Sequence, residues 1–434
     1  MRKKRLIRTT RLCALLLAVS FAGARAQDLV VDPAGPTPTV TEALAKARPG
    51  DRIVIRAGVY REPTLVIDKP LTLVGEPGAI LDGQGDRQIM TVLADGVTIR
   101  GLTFRNVGVS YVEDRAGIKV KEARDCLIEG NRFENTFFAV YLAQTADCRV
   151  ADNEMIGTYT REAASGNGIH LWYCKNITIE NNRINGHRDG IYMEFVEDSV
   201  IRGNESWSNL RYGLHFMFSD RCRYESNYFR ENRAGVAVMY TDHVEMVGNT
   251  FEKNWGGASY GLLLKEIRDS RIEGNRFVKN TTGLYAESVN RTTVEGNTFV
   301  ENGWAVNLMS SSQDDRFLRN NFFGNSFDVS TNSRRTTSTF AENYWDRYEG
   351  YDLDRDGFGD VPFHPVRLFS LIVERNEPAL VLMRSLFIDL LDAAERVFPV
   401  LTPETLVDAQ PKMKPYPDPP AGAFLSTTAL PNHD

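Results

Sequence analysis

A repeat of about 22 residues governs this chain between Gly117 and Asn320. Each copy opens on a small residue: Gly117, Ala139, Gly168, Gly190, Gly213, Gly235, Gly261, Gly283 and Ala305. Six of the eight gaps between openers are 22 or 23 residues, and the two longer ones follow Gly157 and Trp255, where extra loop residues enter. A fixed period in this range is the signature of a solenoid. Positions one and three after the opener are apolar, as in Ile169/Leu171, Ile191/Met193 and Leu214/Phe216. Position fourteen is Asn from Asn131 to Asn297, and position sixteen is often Phe, as in Phe229, Phe251 and Phe277. Alternation of period two puts the apolar set on one side of short strands. A single copy buries too little to stand alone, so copies must stack. Asn at a corner tolerates the left-handed backbone, and its amide can bond the coils above and below. The spacing predicts an all-β fold, a parallel β-helix over residues 27–345. Right-handed winding is the fold-level expectation.

The ends follow different rules. Arg2, Lys3, Lys4, Arg5, Arg8 and Arg11 precede the apolar stretch Leu12–Gly23 and an Ala24-Arg25-Ala26 site. Residues 1–26 therefore read as a secretory signal peptide, too short in its apolar part to span a membrane. Without them the formal charge of −6 becomes −13, because seven basic residues leave. An acidic exported chain is a poor partner for nucleic acid. Thr39–Ala47 predicts a short capping helix with its N-cap at Thr39 or Thr41; it would protect the first sheet edge. After Asn343 the repeat stops. Residues 346–365 form an Asp/Gly-rich loop. Residues 366–400 are apolar, with helical spacing over Ala379–Val397, and residues 401–434 are Pro-rich and expected to be flexible.

Positions two and four after the opener must point outward. The middle coils carry His170, Trp172, Tyr192, Glu194, His215, Met217 and Met239 there, where a solvated sheet would carry Thr, Lys and Glu. A contiguous exposed patch of this kind marks a contact surface. Met217 and Met239 share one offset in adjacent coils, and His215 lies two residues before Met217. Thioethers with an imidazole suit Cu(I) better than zinc, calcium or magnesium. Packing under a partner or a loop explains the same residues without a metal. Asp352, Asp354, Asp356 and Asp360 match the start of a calcium loop, but Phe363 stands where such loops place a bidentate Glu. Cys126, Cys148, Cys174 and Cys222 show no zinc spacing and read as core filler. Glu194, Lys265, Glu266 and Glu287 lie near the face that β-helix lyases and epimerases use, yet form no close acid pair recognisable from sequence.

The stretches GIHLWYCKNITIENNRINGHRDGIYMEF and GLHFMFSDRC, the early PGDRIVIRAGVYRE and the late NYWD and GYDLDRDGFGD resemble the NosD family. These are periplasmic β-helix accessory proteins of nitrous oxide reductase maturation. The resemblance covers nearly the whole chain after residue 26. It implies a non-catalytic role beside an ABC transporter made of the ATPase NosF and the membrane subunit NosY. It also implies a copper chaperone lipoprotein, NosL, as donor and apo nitrous oxide reductase as client. On that view Cu(I) passes transiently over His215, Met217 and Met239. His170, Trp172, Tyr192 and Glu194 would meet partners. Leu380, Met383, Phe387 and Leu391 would dock on the membrane subunit, holding the chain at the periplasmic side of the inner membrane. A polysaccharide lyase or epimerase, and a metal-free scaffold between client and transporter, are the alternatives.

Overall fold

The structure is a computed structural model that describes residues 27–159, 161–333, 336–382, 385–397 and 406–417. The expected signal peptide lies outside the described residues. Three parallel sheets of 14, 12 and 13 strands run the length of the domain, and each coil gives one strand to each. In one middle coil these are Tyr212–Met217, Arg223–Glu225 and Tyr228–Arg230. Strand register copies the sequence offsets: Ile191, Leu214 and Val236 are successive partners, as are Glu194, Met217 and Met239. This is the predicted right-handed parallel β-helix.

Inside, the odd positions pack as expected. Ile169, Leu171, Ile191, Met193, Leu214 and Phe216 are fully buried. Phe229, Phe251, Phe277, Phe299, Phe322 and Trp345 form one stack, with ring centroids 5.8, 4.8, 4.6, 5.0 and 4.2 Å apart. At the corner after the second strand, the Asn131–Asn343 ladder runs through ten coils. In it Asn204 donates both its backbone N–H and its amide to Asn227 Oδ1, each at 3.0 Å. A second ladder, Asn209–Asn232–Asn254–Asn280–Asn302–Asn325, holds the next corner. The opener glycines allow close stacking. A Cβ on Gly213 would lie 2.7 Å from the carbonyl oxygen of Gly235.

The first end is closed by the helix Val40–Lys46, whose N-cap Thr39 accepts from the backbone of Glu42 at 3.2 Å. The other end corrects two expectations. The apolar segment is not one helix over Ala379–Val397. It is Leu368–Arg375, a 3-10 turn over Glu377–Leu382, and Leu386–Val397. Phe369, Val373, Ala379 and Ile388 gather with Phe327 beside Trp304, and a single straight helix could not bring all four there. Nor are residues 406–417 a free tail. Asp408 accepts from the backbone and amide of Asn343 and from Trp345 Nε1, at 3.0, 3.0 and 3.1 Å. Its carboxylate thus ends the Asn ladder, and the segment caps the final coil. Among the described residues no helix is long and apolar enough to cross a membrane.

Asn227→Ala should lower unfolding free energy by roughly 3 kcal/mol, because several buried donors and acceptors lose partners at once. Urea denaturation of the full chain measures this; a loss below about 0.5 kcal/mol would contradict the ladder's role.

Candidate functional site

The outer face of the 12-stranded sheet carries the unusual residues, and its rings stack from coil to coil. Tyr141 and His170 lie face to face at 4.5 Å, and His170 and Tyr192 at 4.7 Å. At His215 the pattern turns. Tyr192 meets it edge-on at 5.1 Å, and Tyr212 tilts against it at 4.7 Å. His215 is consequently only 5% exposed. The sequence placed it on an open surface; the tyrosine rings bury it. His170 is a packed ring whose Nδ1 accepts from the Asn167 amide at 3.0 Å. Burial, then the charges of Arg188 and Lys119, push its pKa down to about 3.

His215 and Met217 sit in one strand, and Met217 is the register partner of Met239. Both methionines are half-buried. The Tyr192 hydroxyl lies 4.0 Å from Met217 Sδ. Burial, then Glu194, push that hydroxyl up to about 12, which keeps it a neutral donor. Ala237 pairs with His215 and leaves room beside the ring. Neither nitrogen of His215 has a hydrogen-bond partner among the described residues. Two thioethers on the same face as an imidazole with both nitrogens unengaged fit a soft cation such as Cu(I). Trp172 packs near Tyr141 and Phe138, and Glu194 is half-buried as the register partner of Trp172 and Met217.

The residue before each opener also faces outward, which the sequence reading missed. Phe138 touches His170, Tyr212 touches His215, and Asp189 lies 3.9 Å from His215 Nδ1. Strict alternation would put this offset in the core. The sign of its true side is the row Phe138, Asn167, Asp189, Tyr212, too varied in size and polarity for a β-helix interior. Asp189 is fully buried, 3.6 Å from both Arg188 Nε and Arg211 Nε. Burial opposes the charge on Arg211 most strongly, but Asp189, Tyr212 and Glu162 together outweigh it and the guanidinium pKa rises.

A second missed feature flanks the methionines. Tyr173, Phe195, Phe218 and Tyr240 occupy one left-handed corner in four successive coils, with φ of 51, 54, 50 and 57°. Their rings stack at 4.6, 5.2 and 5.1 Å. The same corner in other coils carries Glu122, Gln144, Glu266 and Ser288. A bulky side chain in this conformation costs about 1–2 kcal/mol, so aromatic residues are not what the corner itself selects. Tyr173 and Phe218 remain 50% and 41% exposed.

The other expected sites are separate. Asp352, Asp354 and Asp356 bring carboxylate oxygens within 4.8 Å of one another, while Asp360 turns away to accept from Leu353 N at 2.7 Å. Asp352 also accepts from Arg355 and Gly357, so the loop closes on its own carboxylates. Leu380 and Leu391 pack toward Phe327, Phe387 is exposed, and Met383 lies outside the described residues. The four cysteines are buried and free, and burial pushes the Cys222 thiol up to about 12. Lys265 and Glu287 pair at 3.7 Å, which leaves Glu287 a surface ion pair.

A family model described as "Periplasmic copper-binding protein (NosD)" matches residues 157–350, the stretch holding this face. A Pseudomonas aeruginosa protein named "Probable ABC transporter binding protein NosD" is 33% identical over 425 residues, covering 86% of this chain and 92% of the relative. The chain belongs to the NosD family. A Stutzerimonas stutzeri NosD of the same name is 30% identical over 379 residues, covering 82% of this chain and 86% of that one. Solved β-helices share the fold alone. The Streptococcus pneumoniae adhesin PfbA aligns with a TM-score of 0.53 at 11% identity, covering 67% of this chain and 89% of its own. A family 28 exopolygalacturonase of Yersinia enterocolitica aligns with a TM-score of 0.55 at 12% identity, covering 73% and 79%. Both NosD relatives are named as binding proteins.

His187 takes the place of Asn at the start of the second ladder, and its backbone N–H donates to Asn209 Oδ1 at 3.1 Å. Burial pushes its pKa down to about 4. The unfolded chain, with a His pKa of about 6.5, therefore takes up the proton first. The effect is absent above that pH and destabilises progressively as the pH falls toward 4. Between pH 6.5 and 5 it amounts to about 2 kcal/mol. His187→Asn should remove that part of the slope when urea unfolding is compared at pH 7 and pH 5. Equal pH slopes in the two proteins would contradict it.

Proposed function

We propose that this protein receives Cu(I) at His215, Met217 and Met239 and hands it to apo nitrous oxide reductase. It would do so as the periplasmic accessory subunit of an ABC transporter. The observation that carries the reading is the register pairing of Met217 with Met239 beside a buried imidazole whose nitrogens are unengaged. Soft ligands on a rigid sheet hold Cu(I) and release it by exchange with ligands of the next protein. Copper here is cargo. The edge-on Tyr192 and tilted Tyr212 keep water from the His215 ring, and the Tyr173–Tyr240 stripe borders both methionines by one residue. That stripe, with Trp172 and Glu194, is the contact rim for the copper chaperone NosL and for the reductase.

The helical segment supports the transporter half of the reading. It packs on Trp304 and Phe327, which lie along the same sheet as Met239. Strand spacing puts Phe327 roughly 20 Å further along. Leu386, Phe387 and Leu390 point away from the solenoid and are exposed. They are the apolar surface for the membrane subunit NosY, while NosF supplies ATP hydrolysis from the other side.

Met217→Leu/Met239→Leu should weaken Cu(I) binding at least about tenfold in competition with a chromogenic Cu(I) chelator and reduce copper loading of the reductase. Unchanged loading and affinity would leave a metal-free scaffold. Leu386→Glu/Phe387→Glu/Leu390→Glu should abolish co-purification with the membrane subunit without changing Cu(I) affinity. Intact co-purification would remove the docking role.

A further inference from the structure

Asp189 is an unusual residue for a β-helix. It is 0% exposed, it bears a carboxyl group, and no hydrogen bond among the described residues reaches either of its oxygens. A buried carboxylate is tolerated when charges balance it and donors satisfy it. Arg188 and Arg211 supply charge, yet each Nε stops at 3.6 Å, beyond hydrogen-bond length. The acceptor capacity of Asp189 is therefore unspent. Two unpartnered nitrogens stand next to it: Arg188 Nε at 3.6 Å and, on the metal-facing side chain, His215 Nδ1 at 3.9 Å. A hydrogen bond between Asp189 and His215 needs the two side chains to approach by roughly 1 Å.

We propose that Asp189 is the positioning residue for His215, fixing the imidazole so that Nε2 faces the copper site of Met217 and Met239. This rests on the copper reading above. A carboxylate that accepts from Nδ1–H selects the tautomer with a free lone pair on Nε2 and sets the ring's direction. The coil order agrees. Asp189 lies in the coil before His215, and Met239 in the coil after it. The two ring nitrogens point to opposite sides, so Nδ1 toward Asp189 turns Nε2 toward Met239, over the small Ala237.

The surroundings hold Asp189 in place. Arg211 also binds Glu162 at 2.8 Å, and the backbone of Arg188 donates to the carbonyl of Gly166 at 2.8 Å. Both partners belong to the extra loop after Gly157. That insertion, which breaks the repeat, thereby anchors the two arginines that face the carboxylate. Tyr192 and Tyr212 both pack against the imidazole.

The test uses the full chain and four variants: Asp189→Asn, Asp189→Glu, His215→Ala and Met217→Leu/Met239→Leu. Asp189→Glu keeps a counter-charge for the arginines but moves the carboxylate, so a purely structural role predicts no change. Positioning predicts weaker Cu(I) binding by 10- to 100-fold in chelator competition for Asp189→Glu and Asp189→Asn. It also predicts, in the copper-free protein, nitrogen NMR of His215 with the proton on Nδ1, lost in both Asp189 variants and kept in the double Met variant. If Asp189→Asn fails to fold, Asp189→Glu and the wild-type tautomer still decide. An unchanged affinity in Asp189→Glu, or a wild-type proton on Nε2, overturns the proposal. If His215→Ala binds Cu(I) as tightly as wild type, the copper reading itself falls. If it binds weakly while Asp189→Glu does not, only the positioning role falls.

Discussion

From Asn153 to Asn320, each asparagine of the first ladder gives two hydrogen bonds to the next coil and receives two from the one before. Backbone ladders alone would hold the three sheets, but they leave the corners to bend as they please. The amide ladders lock the corner geometry, and with it the register of every strand. Asp408 shows how general that constraint is. It comes from a segment 65 positions after Asn343 in the chain, yet it accepts the same pair of donors. The solenoid ends where something satisfies its last asparagine.

A locked register turns sequence offsets into spatial rows. Side chains from consecutive coils stand about 4.8 Å apart on one face. That is close enough for rings to stack and for two thioethers to share a cation. The interior then carries the stability, so the outer rows vary without unfolding the protein. This explains how the same architecture serves an adhesin and a polysaccharide hydrolase at 11–12% identity. In this chain the variation is spent on one face: aromatic rings, His215, Met217 and Met239 in the middle, and helices over Trp304 and Phe327 at the end.

The rows one and three, and the Asn row at fourteen, were readable because one physical demand repeats in every coil. Thr39 was readable as a cap for the same kind of reason. The second Asn ladder repeats too, and its offset was open to the same counting. The row before each opener was not readable. The alternation breaks at the glycine openers, where an added Cβ would meet interior side chains, and parity is all that alternation reports. The left-handed corner of Tyr173, Phe195, Phe218 and Tyr240 was hidden as well, since aromatic residues do not announce positive φ. Residues 406–417 looked flexible because proline content describes local preference and says nothing about a distant asparagine.

The sequence by itself determined the solenoid, its core and the pairing of Met217 with Met239, because period and register are one-dimensional properties of the chain. Only the tertiary structure decided that His215 is buried rather than open, and that Asp189, Arg188 and Arg211 gather behind it. Those contacts depend on how neighbouring coils tilt their rings and where an inserted loop folds back, and no spacing encodes either.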